Sequence, residues 1–247
     1  METIIGSINA ALTAIFNNAF FTTLPGLKLS EMEWKKFFVQ KYGSVGYFLD
    51  FLQNGSSLCE PHSKELSKIF IDNYHDEIGF INNIQQEEYR HENWRLKSLA
   101  QFGITKFDLE HATLISSTQV HSELLATLPK GEDFLEYCGA LLFLEIFVAR
   151  EMKHLIKEFE RTIPAYFPRG GYKKTNAPHN VHEYWYNHME HDPKHFKDIK
   201  DGVEAYVALN SDKHVEIESR IIRGIEKCFV AKMHLYDEKL LKHMMSK

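Results

Sequence analysis

The chain has 247 residues, 44% of them hydrophobic and 26% charged, with a formal net charge of −5. That length and apolar share predict one substantial core, read as a single domain over residues 1–247. An acidic balance with no basic block gives nucleic acid and anionic membranes no electrostatic footprint, and no run of about 18 apolar residues would span a bilayer. Cys59, Cys138 and Cys228 form no CxxC pair and the first residues lack the basic start of a signal peptide. Free thiols in a reducing cytoplasm are therefore expected.

Residues 3–21 carry an apolar face opposite Asn and Thr and predict an N-terminal helix, the unit 1–25 ending at Pro25-Gly26. Ser30-Glu-Met-Glu33 has the form of a capping box. The helix it opens is expected to run to about Gln53, with Trp34, Phe37, Phe38, Tyr42, Val45 and Phe48 at helical spacing. Asn54-Gly-Ser-Ser57 reads as a loop, and Pro61 as the start of a third, interrupted helical region ending at Phe102-Gly103. Helices are predicted over 107–127 and 132–160. Residues 161–178 form the one long irregular connection, and helices follow over 179–192, 193–209 and 212–245. Strand alternation is almost absent, so the expected class is all-α, about seven or eight helices around one core.

Fourteen histidines make this residue the compositional outlier, and three positions near the end stand apart: His188, Asp192 and His195. On a helix, Asp192 is offset from His188 by about 40° and His195 by about 20° the other way, within about 10 Å of axis. Two imidazoles and a carboxylate on one narrow arc suit a metal ion. Pro193 interrupts this stretch and is expected to kink or restart the helix, a restart being consistent with Asp192 as N-cap and Pro193 at the first helical position.

Glu145 is the second signal, a carboxylate inside the apolar run Leu141-Leu-Phe-Leu-Glu-Ile-Phe-Val148. Buried alone it would cost several kcal/mol or take up a proton, whereas a cation, or pairing with a base such as Arg150, removes the penalty. The third signal is Glu88 and His91, an i, i+3 pair of the kind that carboxylate-bridged di-iron sites use. Glu151 and His154 repeat that spacing, so spacing alone does not decide. Mixed imidazole and carboxylate donors suit iron or manganese, and six or so donors suit a dinuclear centre better than a single ion.

His91 with Trp94, Leu99 and Phe102-Gly103, then Glu145, then His188-x3-Asp192-x2-His195, resembles the haem-oxygenase-like di-iron oxidases and oxygenases, relatives of the chlamydial death-domain-associated protein. The likeness runs over roughly residues 30–240 and implies a TenA/PqqC-like helical bundle. It also implies two Fe ions, dioxygen as cosubstrate, and oxidation of an amino-acid-derived or fatty-acid-like molecule by decarboxylation, C–C cleavage, nitrile formation or N-oxygenation. Asp76-Glu77-Ile-Gly79 resembles the family's Asp-Glu-x-Gly element and nominates Glu77 as the first carboxylate. On a continuous helix Glu77 would stand about 21 Å from His91, so Glu77 requires a break, for which Gly79 and Asn82-Asn83 are suited; without one, Glu88 takes the role. The family's self-sacrificing aminobenzoate synthases use a particular Lys, but Leu155 stands ten residues after Glu145, so that activity is not carried over.

Candidates for the substrate pocket are Phe143, Phe147, Arg150, Tyr184 and Trp185, Arg150 as a contact for a carboxylate. The expected partners are a small-molecule substrate and an external electron donor, with a homodimer left open. Two other readings compete. A ferritin-like bundle would employ Glu88/His91 and Glu151/His154 as buried ligands, and a metal-independent TenA/PqqC-like enzyme would make the donors coincidental.

Overall fold

The computed structural model describes residues 1–43, 47–81, 84–167 and 182–246. The class is all-α as expected, in more and shorter helices than the seven or eight predicted: α1 (Glu2–Phe16), α2 (Ala19–Thr23), α3 (Glu31–Tyr42), α4 (Phe48–Cys59), α5 (Lys64–Glu77), α6 (His91–Ala100), α7 (Lys106–Glu110), α8 (Ser116–Leu125), α9 (Phe134–Thr162), α10 (Glu183–Leu209), α11 (His214–Leu235) and α12 (Glu238–Met245). Among the described residues no single helix is long and apolar enough to cross a membrane.

Several predicted boundaries move, each for a local reason. The first helix ends at Phe16, and Asn18 caps α2 by accepting from the Phe21 N–H. The Ser30 capping box forms, but its helix stops at Tyr42 instead of Gln53; Val45 lies outside the described residues. The supposed loop at 54–57 is the interior of α4. Gly55 serves close packing there, since a Cβ would meet the Phe70 ring at 2.4 Å. The predicted 107–127 helix is two, α7 and α8, and the terminal one divides at Tyr236 into α11 and α12. Of the irregular connection, residues 168–178 lie outside the described residues, as do 179–181.

The long helix α9 is the axis of the core, packed against α10 on one side and α11 on the other. The α9–α11 crossing is close because Gly139 and Gly224 face it. A Cβ on either would fall 1.9 Å from a backbone oxygen of the other helix, Ile221 or Glu136. Ion pairs border the crossing, with Arg220 bidentate to Asp133 at 2.8 Å and Arg223 to Glu136 at 2.9 Å. Toward the other end of α9, Trp34, Phe38, Phe159 and Trp185 pack ring on ring, with Trp34 Nε1 donating to Thr162 Oγ1 at 2.8 Å. The three cysteines are buried and free.

Pro193 does not restart a helix. α10 runs from Glu183 to Leu209 with Pro193 inside it, and Asp192 is an interior residue. Pro193 faces solvent, where water can take the carbonyl that the missing N–H leaves without a donor, so the helix tolerates it.

Candidate metal centre

α5 ends at Glu77, and the chain then turns through Gly79 into a two-residue antiparallel hairpin, Phe80–Ile81 with Ile84–Gln85. Asn82-Asn83, expected to help the break, lie outside the described residues. Gly79 has φ +70, and a Cβ there would lie 2.6 Å from the Gln86 carbonyl oxygen, so only glycine fits this return. Gln86 N–H donates to the Gly79 carbonyl at 2.9 Å and closes it. One 3₁₀ turn later α6 begins at His91, whose Nδ1 lies 2.9 Å from Glu77 Oε1.

The break thus brings Glu77, of the two first carboxylates left open by the sequence, to His91. Glu77 stands beside His91, whereas Glu88 is exposed and offers only its carbonyl, which accepts from Trp94 Nε1 at 2.7 Å. Its i, i+3 spacing carries no weight because Glu88 precedes the helix that His91 opens.

α10 supplies His188, Asp192 and His195 on one arc, and α9 supplies Glu145. The donors fall into two groups, Glu77/His91/His188 and Glu145/Asp192/His195; within each, one donor atom per residue lies within 4.8 Å of the others. His188 and Asp192 join the groups, with His188 Nδ1 3.1 Å from both Asp192 carboxylate oxygens. His195 Nδ1 lies 3.5 Å from Glu145 Oε2, and its Nε2 lies 3.4 Å from Asp76 Oδ2. His91, Glu145, His188 and Asp192 are buried. Trp94 stacks on the His91 ring at 4.9 Å, Tyr184 meets the His188 ring edge-on at 4.7 Å, and the Asn187 amide lies 3.3 Å from His91 Nε2.

The electrostatics are those of a site built around positive charge. Burial pushes the Glu145 carboxyl up, His195 opposes this, and the neighbouring Asp192 and Glu77 charges leave it at about 7. Burial would also raise Glu77, but His91, His188 and His195 outweigh it and hold Glu77 at about 2. His188 and His195 are depressed by burial and lifted more strongly by Asp192 and Glu145 respectively, each to about 9. Three carboxylates gathered in an apolar shell hold protons on the imidazoles; metal ions would take over that charge and displace those protons. The donor set fits iron, by number, by mixed nitrogen and oxygen chemistry, and by the absence of thiolate.

The groups open onto a cavity of about 380 Å³ whose wall includes Glu77, His91, Glu145, His188, Asp192 and Tyr184. A groove on the outer side, bounded by Asp72, Asp76, Asp198 and Asp201, reaches His195. Of the residues proposed for substrate contact, only Tyr184 lines the cavity. Phe143, Phe147 and Trp185 are fully packed into the core, and Arg150 is exposed, its position on α9 pointing away from the buried stripe. Glu151 is buried, but Lys41 and the Tyr236 hydroxyl engage it, while His154 is exposed and stacks on Phe16 at 4.6 Å. That pair gives the ferritin-like reading no second site.

The sequence reading missed Lys41, Arg95, His121 and Lys232 in the cavity wall, and named Glu151 there only as a possible metal ligand. A signal exists for Lys232, which lies seven residues after Ile225, four after Cys228 and three before Leu235, on the buried stripe of α11.

Comparison with known proteins places this chain in a family. A model of iron-containing redox enzymes matches residues 35–228. Among curated proteins, none matches the chain in sequence. Solved structures match along nearly the whole length. A CADD-like protein of unknown function from Nostoc punctiforme aligns with TM-score 0.70 and 13% identity, over 99% of this chain and 98% of its own. A domain of unknown function with a haem-oxygenase-like fold, from Shewanella denitrificans, gives 0.70 and 12%, over 98% and 91%. A TenA homologue from Pseudomonas syringae gives 0.68 and 11%, over 98% and 92%. The fold is haem-oxygenase-like, and the chain belongs to the family of iron-containing redox enzymes.

Proposed function

We propose that this chain is a non-haem di-iron oxidoreductase that uses dioxygen to oxidise a small organic substrate. The observation that carries the reading is the pair of donor groups, joined through His188 and Asp192, with five of the six donors in the wall of one cavity. Glu77, His91 and His188 would hold one iron, and Glu145, Asp192 and His195 the other. When bound, ferrous ions supply the electrons that reduce dioxygen, and an external donor restores them.

The chain's own residues do the rest. Trp94 fixes the plane of the His91 ring by stacking, and Tyr184 and Asp192 orient His188 from two sides. Leu144, Val148 and Met152 line the cavity beside Glu145 and keep bulk water from the reacting substrate. The partly buried His195 stands where the acidic groove meets the centre.

The deciding experiment is anaerobic Fe(II) titration with metal counting, then exposure to oxygen under optical spectroscopy. About two irons per chain are expected, with an oxygen-dependent visible band, as the carboxylate–histidine donor sets of helical di-iron proteins bind them. No tight iron binding, with a spectrum unchanged in His188→Ala, overturns the reading.

A further inference from the structure

The cavity has a second polar end that the iron chemistry does not use. Glu145 and Glu151 are six residues apart on α9, about 9 Å along its axis, with Val148 lining the wall between them and Met152 just beyond Glu151. Glu145 belongs to the candidate metal centre. At the Glu151 end two ammonium groups enter, from α3 and α11. Lys41 is ion-paired with Glu151, whose other oxygen accepts from the Tyr236 hydroxyl.

Lys232 is left over. Its side chain is 7% exposed and lines the cavity, yet it has no hydrogen-bond or ion-pair partner among the described residues. What it has is the Phe147 ring, 5.2 Å from Nζ. His121, beside it, is held neutral by burial, with Nδ1 donating to the Ala231 carbonyl at 2.9 Å. Two ammonium groups against one carboxylate leave surplus positive charge in a desolvated place, and Arg95 on the same cavity wall, its Nε without a hydrogen-bond partner among the described residues, adds to it. Burial brings the Lys232 amine down to about 8, which still leaves it mostly protonated at neutral pH. A buried ammonium facing a cavity without an ion-pair partner is what a bound anion such as a carboxylate would complete.

We propose that Lys232 anchors the carboxylate of an organic-acid substrate at the end of the cavity away from the candidate metal centre. The substrate then lies along the Val148 and Met152 wall and presents a position remote from its carboxyl group to the Glu145 end. The site of oxidation rests on the di-iron reading above; the anchoring does not, because it needs no iron.

The test uses the metal-free full chain and two probes of equal length, octanoate and octanamide, compared at neutral pH by calorimetry. Octanoate is expected to bind at least about tenfold more tightly, the scale of one charge-assisted contact. Lys232→Met and Lys232→Gln should each abolish that preference, and Lys232→Arg should keep it. Both neutral variants remove a desolvated charge, so each is expected to fold; iron counting on them checks that the metal end is intact. The proposal is overturned if wild type shows no preference for octanoate, or if the preference survives in whichever neutral variant folds. Failure of the iron titration with the octanoate preference retained would remove the oxidase reading and leave the anchor standing.

Discussion

Glu77 and His91 are fourteen residues apart in sequence, and Glu77 Oε1 lies 2.9 Å from His91 Nδ1. A continuous helix would separate them by about 21 Å, so the contact depends on the hairpin return at Gly79. This relationship separates the two carboxylates experimentally. Glu77→Ala is expected to remove one iron of the pair, while Glu88→Ala, at an exposed position, leaves the iron count unchanged. Equal iron loss in both variants, measured by metal analysis after anaerobic loading, would contradict the assignment.

The metal-free centre stores unfavourable burial, which Glu145 carries most plainly. Its carboxyl is pushed up to about 7 by burial and by Asp192 and Glu77, despite His195. Glu145→Gln keeps the shape and removes the charge. The metal-free variant should unfold at the same temperature as wild type or up to several degrees higher, a gain on the order of 1–2 kcal/mol, while its iron count falls. A large drop in the metal-free Tm would show that Glu145 is a net stabiliser without metal.

The legible parts of this site were those set by local periodicity. His188, Asp192 and His195 share an arc because helical spacing puts them there, and Glu145 stands out because a charge inside an apolar run needs a partner. Glu77 was not decidable, because its position depends on a hairpin of two-residue strands too short to show alternation. The helix ends near Gly43 and Gly55 were misjudged for a related reason. Gly55 reads as a turn locally, and only the Phe70 ring against it shows a packing role. Lys232 was passed over despite its place on the stripe because a lysine there ordinarily carries its ammonium to the surface, and here the cavity receives it. Phe143 and Phe147 were nominated for the pocket from the chain's supply of aromatic residues, but in the 3.6-residue helix the cavity stripe passes through Leu144, Val148 and Met152.

His121 gives the stability a pH dependence of definite sign. Burial, reinforced by Lys232, holds its pKa at about 2, against an ordinary value of 6.5. Between those values the unfolded chain binds a proton that the folded chain refuses, so stability falls as pH drops below 6.5, by about 1.4 kcal/mol per unit at most. Below the folded pKa the loss is complete. His121→Gln should flatten the decline of Tm between pH 6.5 and 5 relative to wild type. Parallel Tm curves for the two proteins would mean His121 takes up its proton in the folded state.

The α9–α11 crossing predicts a contrast between two glycines. At Gly224 a Cβ would lie 1.9 Å from the Glu136 carbonyl oxygen, so Gly224→Ala must push the helices apart. The expected cost is about 3 kcal/mol, roughly 6–12 °C in Tm. At Gly6, exposed on α1, a Cβ would meet nothing within 4 Å. Gly6→Ala should therefore stabilise, by up to about 1 kcal/mol, through helix propensity and reduced unfolded-state freedom. Similar Tm changes in the two variants would show that the crossing is looser than its geometry.

Pro193 sits inside α10 between two candidate ligands, Asp192 and His195, and deprives the Met189 carbonyl of its helical donor. Because Pro193 faces solvent, alanine there adds an N–H donor without burying anything new. Pro193→Ala is expected to stabilise the metal-free chain by about 1–3 kcal/mol, which differential scanning calorimetry would register as a rise of several degrees. The donor arc of His188, Asp192 and His195 spans only about 60° on a straight helix, so the iron count should be retained. A lower Tm would show that α10 needs proline at this position for its packing against α9, and the straight-helix account of the arc would then be wrong.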